Sequence, residues 1–575
     1  MTLDEAAVRR LARALALENA ARHGVANPGA VTGRVMAGEV SARAHAQRVA
    51  AIVAVEVAAV NAMTPEARAA AAADLGGVVA AKPARAPPQE RVLPDLPEAV
   101  EGKVVMRFAP NPSGPLTFGH ARGVVLHLAY IDRYKGKLIL RYDDTDPDVK
   151  PPMNEAYEWQ REDLAWLGGR ADLVLAASDR VPLYYEHAER GLREGALYVC
   201  ACAPELFREL KGKGEACPHR ALPAAEQLAA WRAMLDGTTS PGGAAVRVKT
   251  DLQSKNPAWR EWVALRIVEN PHPRVGSRYR VWPVLDFQSA IDDHLTGVTH
   301  ILRGKDLADS GHKQRYLYAH FGWTYPQVLH WGRVKMHEFG KFSKSLLTEA
   351  IARGEYEGWD DPRLPTLRAM RRRGFQPQAI VAFWLALGLS ERDVSASLAN
   401  LEAENRKLID ARADRVFFVK DPVEVRLEGP AFEAHPLVHP DDATRGTRRL
   451  AVREGASVLV PRDDMAELDG RRRLWRLKDG ANVAFGETPH GARVLGHAID
   501  AGGKPDRVVH WLPADPSQTC ACEVRTPEGV DLGLAERALL EHKPGDIVQF
   551  ERYGYCRVDA VDATSGRAVL LYTHE

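Results

Sequence analysis

The spacing of apolar positions changes several times along the chain. From residue 1 to about 80, Leu11, Leu15 and Leu17 and alanine-dense stretches such as ARAAAAADL recur at helical spacing. The longest apolar run, Val49 to Met63, is broken by Glu56 and Asn61 and is too short to span a bilayer. KPARAPPQERVLPDLP then interrupts all periodicity with prolines and charges, which predicts a linker over 82–98. Beyond it, KVVMRFAP (Lys103 to Pro110) reads as a strand, NPSGP as a turn, and Thr117 to Tyr134 as a helix capped near Gly136. KLILRYDD (Lys137 to Asp144) is a second strand. Strand, glycine turn, helix and strand within about 40 residues make a βαβ unit and imply a parallel sheet. GVTHILRG (297–304) is a further strand, and a long mixed insertion separates it from the first two. Residues from about 362 to 412 read as helical and strongly basic. After Val416, short β-branched runs alternate with turns, the texture of antiparallel barrels.

The expected domains are therefore 1–81 helical, 82–98 linker, 99–199 and 281–346 as two halves of one α/β domain, 200–280 as its insertion, 347–414 helical, and 415–575 β-barrels. Composition agrees with a soluble multidomain protein: 575 residues, 45% hydrophobic and 27% charged. The acidic, core-less start predicts no signal peptide, and six cysteines in so long a chain point to a reducing cytoplasm. A net charge of +1 means that any nucleic acid must be met by local patches rather than by an overall field.

Two stretches carry candidate chemistry. In APNPSGPLTFGHARG, Gly119 and His120 open the helix that follows the first strand. There, unpaired N–H groups and a glycine let a phosphate or a planar base approach the backbone. The alternative is a plain tight turn with a surface histidine. In KMHEFGKFSKSLL, Lys341, Ser343, Lys344 and Ser345 form a cationic, hydroxyl-rich loop suited to a polyphosphate whose charge grows as a bond breaks. Alone, it would read as a solvated lysine loop.

Together and in this order, TFGH (Thr117 to His120) and KFSKS (Lys341 to Ser345) resemble the two nucleotide motifs of class I aminoacyl-tRNA synthetases, HIGH and KMSKS. Thr117 and Phe342 depart from the pattern without removing the charged groups. RFAPNPSGPL, RYDDTDP, AIDDHLTGVTHILRGKDL and WDDPRLPTLRAMRRRG resemble the glutamyl and glutaminyl branch, and the β-barrel end and NAARHGVANPGAVTGRV resemble its archaeal-type glutamyl enzymes. The resemblance implies a Rossmann-like catalytic domain with an acceptor-binding insertion, a helical stem-contact domain, C-terminal anticodon-binding antiparallel β-barrels and an N-terminal helical domain. It implies a monomer acting on ATP with Mg2+, L-glutamate and tRNA(Glu); whether tRNA(Gln) is also a substrate stays open. Thr117, Gly119, His120, Lys341, Ser343 and Lys344 would serve the adenylation chemistry.

The same resemblance gives Arg107 to a carboxylate, Asp143 to the ammonium and Arg303 to the side-chain carboxylate, with Ala109, Asn111 and Asp286 completing the substrate set. Arg303 favours glutamate, because a buried arginine facing a neutral amide would lose its charge partner. Leu285 stands where some relatives carry tyrosine, and Asp286 or Ser289 compensates in this reading. Cys200, Cys202, Cys217 and His219 have paired spacing that fits tetrahedral zinc; buried unligated thiols are the alternative. Cys520 and Cys522 read as small residues on one strand face. RAMRRRGF, with Arg371, Arg372 and Arg373, and GRRRLWRLKDG, with Arg472, Trp475 and Arg476, are the best RNA-binding stretches, though solvated charged faces explain them as well. Glutaminyl activity and a non-catalytic tRNA-binding paralogue are the rival readings; Arg303 argues against the first, His120 and Lys344 against the second.

Overall fold

The computed structural model describes the chain except for residues 1–3, 24, 39–44, 65–66, 69, 72–92, 337–343, 469–472 and 487–489. Lys341, Ser343, Arg472 and most of the expected linker lie outside the described residues. The chain divides into two compact units, Met1–Glu90 and Arg91–Glu575.

The first unit packs three helices, α1 (Glu5–His23), α2 (Pro28–Gly38) and α3 (Ala46–Asn61). Leu15, Leu17, Val31, Val49, Val53 and Val57 meet in its core. Leu11 lies only partly within it. Glu56, which interrupts the apolar run, is buried with Arg9 and Arg13 each 3.7 Å away.

The second unit begins with chain that was expected to be linker. Leu93 and Leu96 are buried, and Arg133 and Tyr130 donate to the carbonyls of Leu93 and Pro94. The linker reading therefore fails beyond residue 92, because an apolar pair among the prolines finds a groove to fill. The strands β1 (Val105–Phe108), β2 (Lys137–Tyr142), β3 (Leu173–Ala176), β8 (His300–Gly304) and β9 (Gln327–Trp331) form one sheet in the order β3-β2-β1-β8-β9, every pair parallel. The helix α4 (Phe118–Tyr134) crosses from β1 to β2. It ends with Lys135, not Gly136, in the left-handed region, at φ 48°. Gly136 has a different role: a Cβ there would lie 2.6 Å from the Val104 carbonyl.

Helix α5 (Asn154–Trp166) joins β2 to β3 and α6 (Val181–Glu194) follows β3, while the insertion holds helices α7 (Pro204–Lys213) and α8 (Ala224–Leu235). Its four-stranded antiparallel sheet is β4 (Leu197–Cys200), β5 (Ala245–Val248), β6 (Val263–Ile267) and β7 (Val281–Pro283). Helices α9 (Leu285–Leu295) and α10 (Ala308–Phe321) flank β8. After β10 (Val334–Met336) come α11 (Lys344–Ala352), α12 (Leu367–Arg373) and α13 (Pro377–Leu387). The stretch expected to continue as helix instead forms the short strand β11 (Val394–Ala396), paired parallel to β10, before α14 (Leu398–Ile409). Val394 is β-branched, and Ser397 caps the helix through the Ala399 amide, so the chain changes period there.

Two seven-stranded sheets make up the C-terminal region. The end strands of the first, Asp414–Val416 and Phe418–Lys420, are separated only by Phe417. Those of the second, Arg507–Val509 and Leu512–Pro513, are separated only by His510 and Trp511. The first and last strand of each order are thus joined by a residue or two, which curls each sheet back toward itself as a barrel requires. They are not purely antiparallel, however: Thr519–Arg525 runs parallel to Arg567–His574, and Pro422–Glu428 parallel to Gly491–Gly496. Cys520 and Cys522 share the inner face of one strand, as expected.

Candidate active site

Ligands of open parallel sheets sit beyond the C-terminal ends of the strands. Here β1, β2 and β8 end in a cleft of about 490 Å³, lined by Arg107, Ala109, Asn111, Gly119, His120, Asp143, Asp286 and Arg303. The six expected substrate residues and two of the expected adenylation residues thus share one cavity. Its floor is a buried charge network. Arg107 Nε lies 3.1 and 3.3 Å from the two Asp293 oxygens, and among the described residues its side chain bonds through that nitrogen alone. Arg141 bridges Asp293 and Asp143, at 2.6 and 2.8 Å. Burial works to raise the Asp293 pKa, but Arg107 and Arg141 outweigh it, and the group stays below the ordinary carboxylate range. Burial lowers Arg107 despite Asp293.

Asp143 is left less satisfied. Burial raises its pKa against the pull of Arg141, and among the described residues both hydrogen bonds to its carboxylate, from Arg141 and Gln288, fall on Oδ1. A desolvated carboxylate with an unused oxygen at a cavity wall suits a cationic ligand. Arg303 is its counterpart. It is 6% exposed, its Nη2 donates to Tyr325 Oη at 2.8 Å and Gln314 Oε1 at 3.2 Å, and its Nε is buried without a partner. Both acceptors are neutral; among the described residues no carboxylate lies within 4 Å of it. A buried guanidinium in that condition suits an anionic ligand. Asp286 is partly spent: Lys313 holds its Oδ2 at 2.8 Å, while Oδ1 is buried and unpaired. Leu285 is half exposed and lines the cleft.

The helix start is built to hold its shape. Thr117 caps α4 by accepting the His120 amide, and the Thr117 amide donates to His120 Nδ1 at 3.1 Å. Because Nδ1 accepts, the neutral ring carries its proton on Nε2 and can donate from there. Gly114, at φ 149°, lies against Trp359, where a Cβ would come within 3.1 Å of the ring. Gln160 Nε2 donates to the Asn111 and Gly114 carbonyls, and Asp163 accepts the Leu116 amide. Phe118 N also donates to Pro365 O, and Leu367 N to Leu116 O, each at 2.9 Å. On the other side of Gly119 a second cavity of about 360 Å³ opens, walled by Arg122, Trp331, Gly332, Val334, Pro365 and Trp384. Lys344 opens α11, just after β10, which forms part of that wall.

Residues 103–411 match the family described as tRNA synthetases class I (E and Q), catalytic domain, and residues 413–495 and 508–559 match its two anti-codon binding domains. The chain belongs to the class I tRNA synthetases of the E and Q type. Curated relatives named glutamate–tRNA ligase include that of Methanothrix thermoacetophila, 45% identical over 570 residues (98% of this chain and 99% of that one). Those of Archaeoglobus fulgidus and Pyrococcus abyssi are each 44% identical, covering 97% and 99% of this chain and 98% and 100% of theirs.

In this E and Q synthetase the four expected metal ligands converge. The donor atoms of Cys200, Cys202, Cys217 and His219 all lie within 4.8 Å of one another. Cys200 and Cys217 sulfurs are 3.7 Å apart, and His219 Nδ1 is 3.4 Å from Cys202 and 3.7 Å from Cys217. A tetrahedral zinc site with Zn–S near 2.3 Å needs sulfurs about 3.8 Å apart, so the donor set fits. Gln227 fixes its frame by bonding the Val199 amide and the His219 carbonyl.

The basic stretches do not all face outward. Trp475 is 1% exposed and packs on Phe485, so it is a core residue and not a stacking platform. Alternation along Leu474–Leu477 turns it inward while Arg476 turns out, donating to the His497 carbonyl. Arg373 is also buried, donating to the Tyr572 and Thr573 carbonyls. Arg372 is held by Asp559 at 2.8 Å. Arg371 is the more exposed of the three. Sequence reasoning missed Arg141, Asp293, Gln288, Tyr325 and Gln314. An arginine inside the apolar strand KLILRY and paired aspartates inside an apolar helix were the available signals.

Proposed function

We propose that the chain ligates L-glutamate to tRNA(Glu) in two steps. Glutamate enters with its ammonium at Asp143, its α-carboxylate near the unengaged nitrogens of Arg107 and its side-chain carboxylate at Arg303. The α-carboxylate attacks the α-phosphorus of ATP in line, giving glutamyl-adenylate and pyrophosphate. A ribose hydroxyl of the tRNA terminus then attacks the adenylate and displaces AMP. His120 Nε2–H and the Gly119 backbone face the reacting phosphate from the helix start, and Lys344 adds a positive charge. These groups stabilise charge and form no covalent bond. The cavity beyond Gly119 accommodates the adenosine, and Mg2+ accompanies the nucleotide, offsetting phosphate charge. Cys200, Cys202, Cys217 and His219 hold a structural zinc ion, since four protein donors leave no open position.

One observation carries the choice of amino acid: Arg303 is a buried cation in the cleft whose contacts are both neutral. The test is ATP–pyrophosphate exchange with glutamate and with glutamine, each with and without tRNA. Exchange with glutamate is expected. A preference for glutamine would overturn the reading of Arg303, and no exchange with either amino acid in the presence of tRNA would make the chain a non-catalytic RNA binder.

A further inference from the structure

Arg122 lies two residues beyond His120 on α4 and is 3% exposed. It faces away from the glutamate cleft. Its Nη1 donates to the Gly332 carbonyl at 2.6 Å and its Nη2 to the Gly388 carbonyl at 3.3 Å. The guanidinium carbon sits 5.9 Å from both the Trp331 and the Trp384 ring centroids. Its Nε is buried without a partner, and no carboxylate lies within 4 Å among the described residues. Burial lowers its pKa to about 10, so it stays charged at neutral pH. A lone buried guanidinium held by two carbonyls and two indoles is costly, and a methionine or leucine would fill the space with less desolvation.

What it joins explains the cost. Gly332 sits between β9 and β10, and β10 leads directly into the stretch that carries Lys341 and Lys344. The Gly332 amide donates to Ser390 O at 2.7 Å, and a side chain at Gly332 would collide with the Arg392 backbone. The Arg333 amide donates to Asp393 at 2.7 Å, and β10 pairs with β11. Gly388 ends α13. One guanidinium therefore fastens the helix of His120 to the strand that feeds the lysine stretch and to the end of α13. All of this borders the cavity beyond Gly119, which Arg122 itself lines.

We propose that Arg122 is a positioning residue that sets the spacing between the His120 helix and the strand leading to Lys344, and through it the alignment of the nucleotide phosphates. It touches no reacting atom in this account. The proposal rests on the nucleotide assignment made above. A misplacement of about 1 Å far from the chemistry can cost roughly a hundredfold in rate.

The experiment compares Arg122→Met and Arg122→Lys with the wild-type chain by ATP affinity measured with Mg2+·ATP alone, by exchange kcat, by the KM for glutamate and by thermal melting. For Arg122→Met the expected result is an exchange kcat reduced about a hundredfold and ATP affinity reduced several-fold, with the glutamate KM within about twofold. Arg122→Lys, which keeps the charge and one donor, should recover part of the kcat. It also serves as the folded comparison if the Met variant melts below the assay temperature. A lower melting temperature with unchanged kcat and ATP affinity would show a merely structural group and overturn the proposal. A wild-type chain that binds ATP but supports no exchange even with tRNA present would instead overturn the functional reading. Arg122 would then be judged by ATP affinity alone, and an unchanged affinity in both variants would overturn its role.

Discussion

Arg303 donates to the phenol of Tyr325 at 2.8 Å, and Tyr325 in turn donates to Gln314 Oε1 at 2.7 Å. Gln314 is itself tied to Ser289 Oγ at 2.7 Å. The guanidinium is thus aimed by a neutral chain, and among the described residues no carboxylate lies within 4 Å of it. Truncating one partner of a buried charge pair costs roughly 3–5 kcal/mol, or about two to nearly four decades. Arg303→Met is expected to lower kcat/KM for glutamate by about that much while leaving the ATP KM near its wild-type value. Tyr325→Phe keeps the charge and loosens only its aim, so the glutamate KM should rise several-fold with little change in kcat. Exchange kinetics with varied glutamate would check both. An Arg303→Met chain that still saturates normally with glutamate would remove that arginine from the pocket.

His120 depends on Thr117 for its tautomer. The Thr117 amide points into Nδ1, which keeps the donor on Nε2. His120→Ala is expected to reduce exchange kcat by about 100- to 1,000-fold, the usual loss for one preorganised donor to developing charge. The KM values should move little, because the interaction strengthens only in the transition state. Thr117→Val removes the side-chain cap but not the backbone donor. Its effect should be mostly on stability, at about 1 kcal/mol, measurable as a lowered melting temperature.

The βαβ core was legible because its parallel strands are short apolar runs and its turn needs glycine and proline for local reasons. The cysteine cluster was legible for the same kind of reason, since ligand spacing is local. The charge floor was not. Arg141 and Asp293 are 152 residues apart and meet only once the sheet is assembled. Trp475 and Arg373 were misread because composition was weighed before period. Trp475 occupies an inward position in an alternating strand, and Arg373 follows Leu367 and Met370 at intervals of three on the apolar face of α12. Leu93 and Leu96 were hidden by neighbouring prolines, and only the groove beside Tyr130 and Tyr134 explains their burial.

The cysteine site makes a prediction independent of catalysis. Metal analysis of the purified chain should find about one zinc per chain, and Cys217→Ser should reduce it sharply, because a closed site needs all four donors. Chelation is expected to lower the melting temperature, since metal-binding free energy adds to folding free energy in a site held together by its ion. Binding of Mg2+·ATP should suffer less than aminoacylation, because the cluster lies in the insertion and not at the cleft. A metal-free preparation with unaltered melting would leave the four residues as ordinary buried side chains.

Asp163 predicts how stability varies with pH. It is buried beside the Leu116 amide, and burial, partly opposed by that amide, pushes its pKa up to about 7. In the unfolded chain an aspartate titrates near 3.9. Between about pH 4 and 7 the unfolded state has therefore lost a proton that the native state keeps, and stability falls as pH rises through that window. The full effect is on the order of 4 kcal/mol at most, given 1.36 kcal/mol per pKa unit. Asp163→Asn keeps an oxygen for the Leu116 amide and removes the charge. It should raise the melting temperature at pH 8, change it little at pH 4 and flatten the profile between them. A variant that is less stable than wild type at pH 8 would mean that the ionised carboxylate is the favoured native form.

The three arginines that end α12 should separate in an RNA-binding experiment. Arg373 is buried, with burial lowering its pKa to about 10, and it clamps α12 to the last strand through the Tyr572 and Thr573 carbonyls. Hydrogen bonds to a charged group contribute about 1.5–3 kcal/mol each, so Arg373→Met should destabilise the chain by several kcal/mol. Because Arg373 cannot reach a phosphate, the salt dependence of tRNA binding should keep its slope in that variant. Arg371 is half exposed beside Trp166 and 4.0 Å from Glu162. Arg371→Ala should leave the melting temperature nearly unchanged and reduce the slope of log affinity against log salt by about one. Measuring tRNA affinity across a salt series for both variants separates the two roles. Equal slopes in wild type and Arg371→Ala would remove Arg371 from the RNA contact surface.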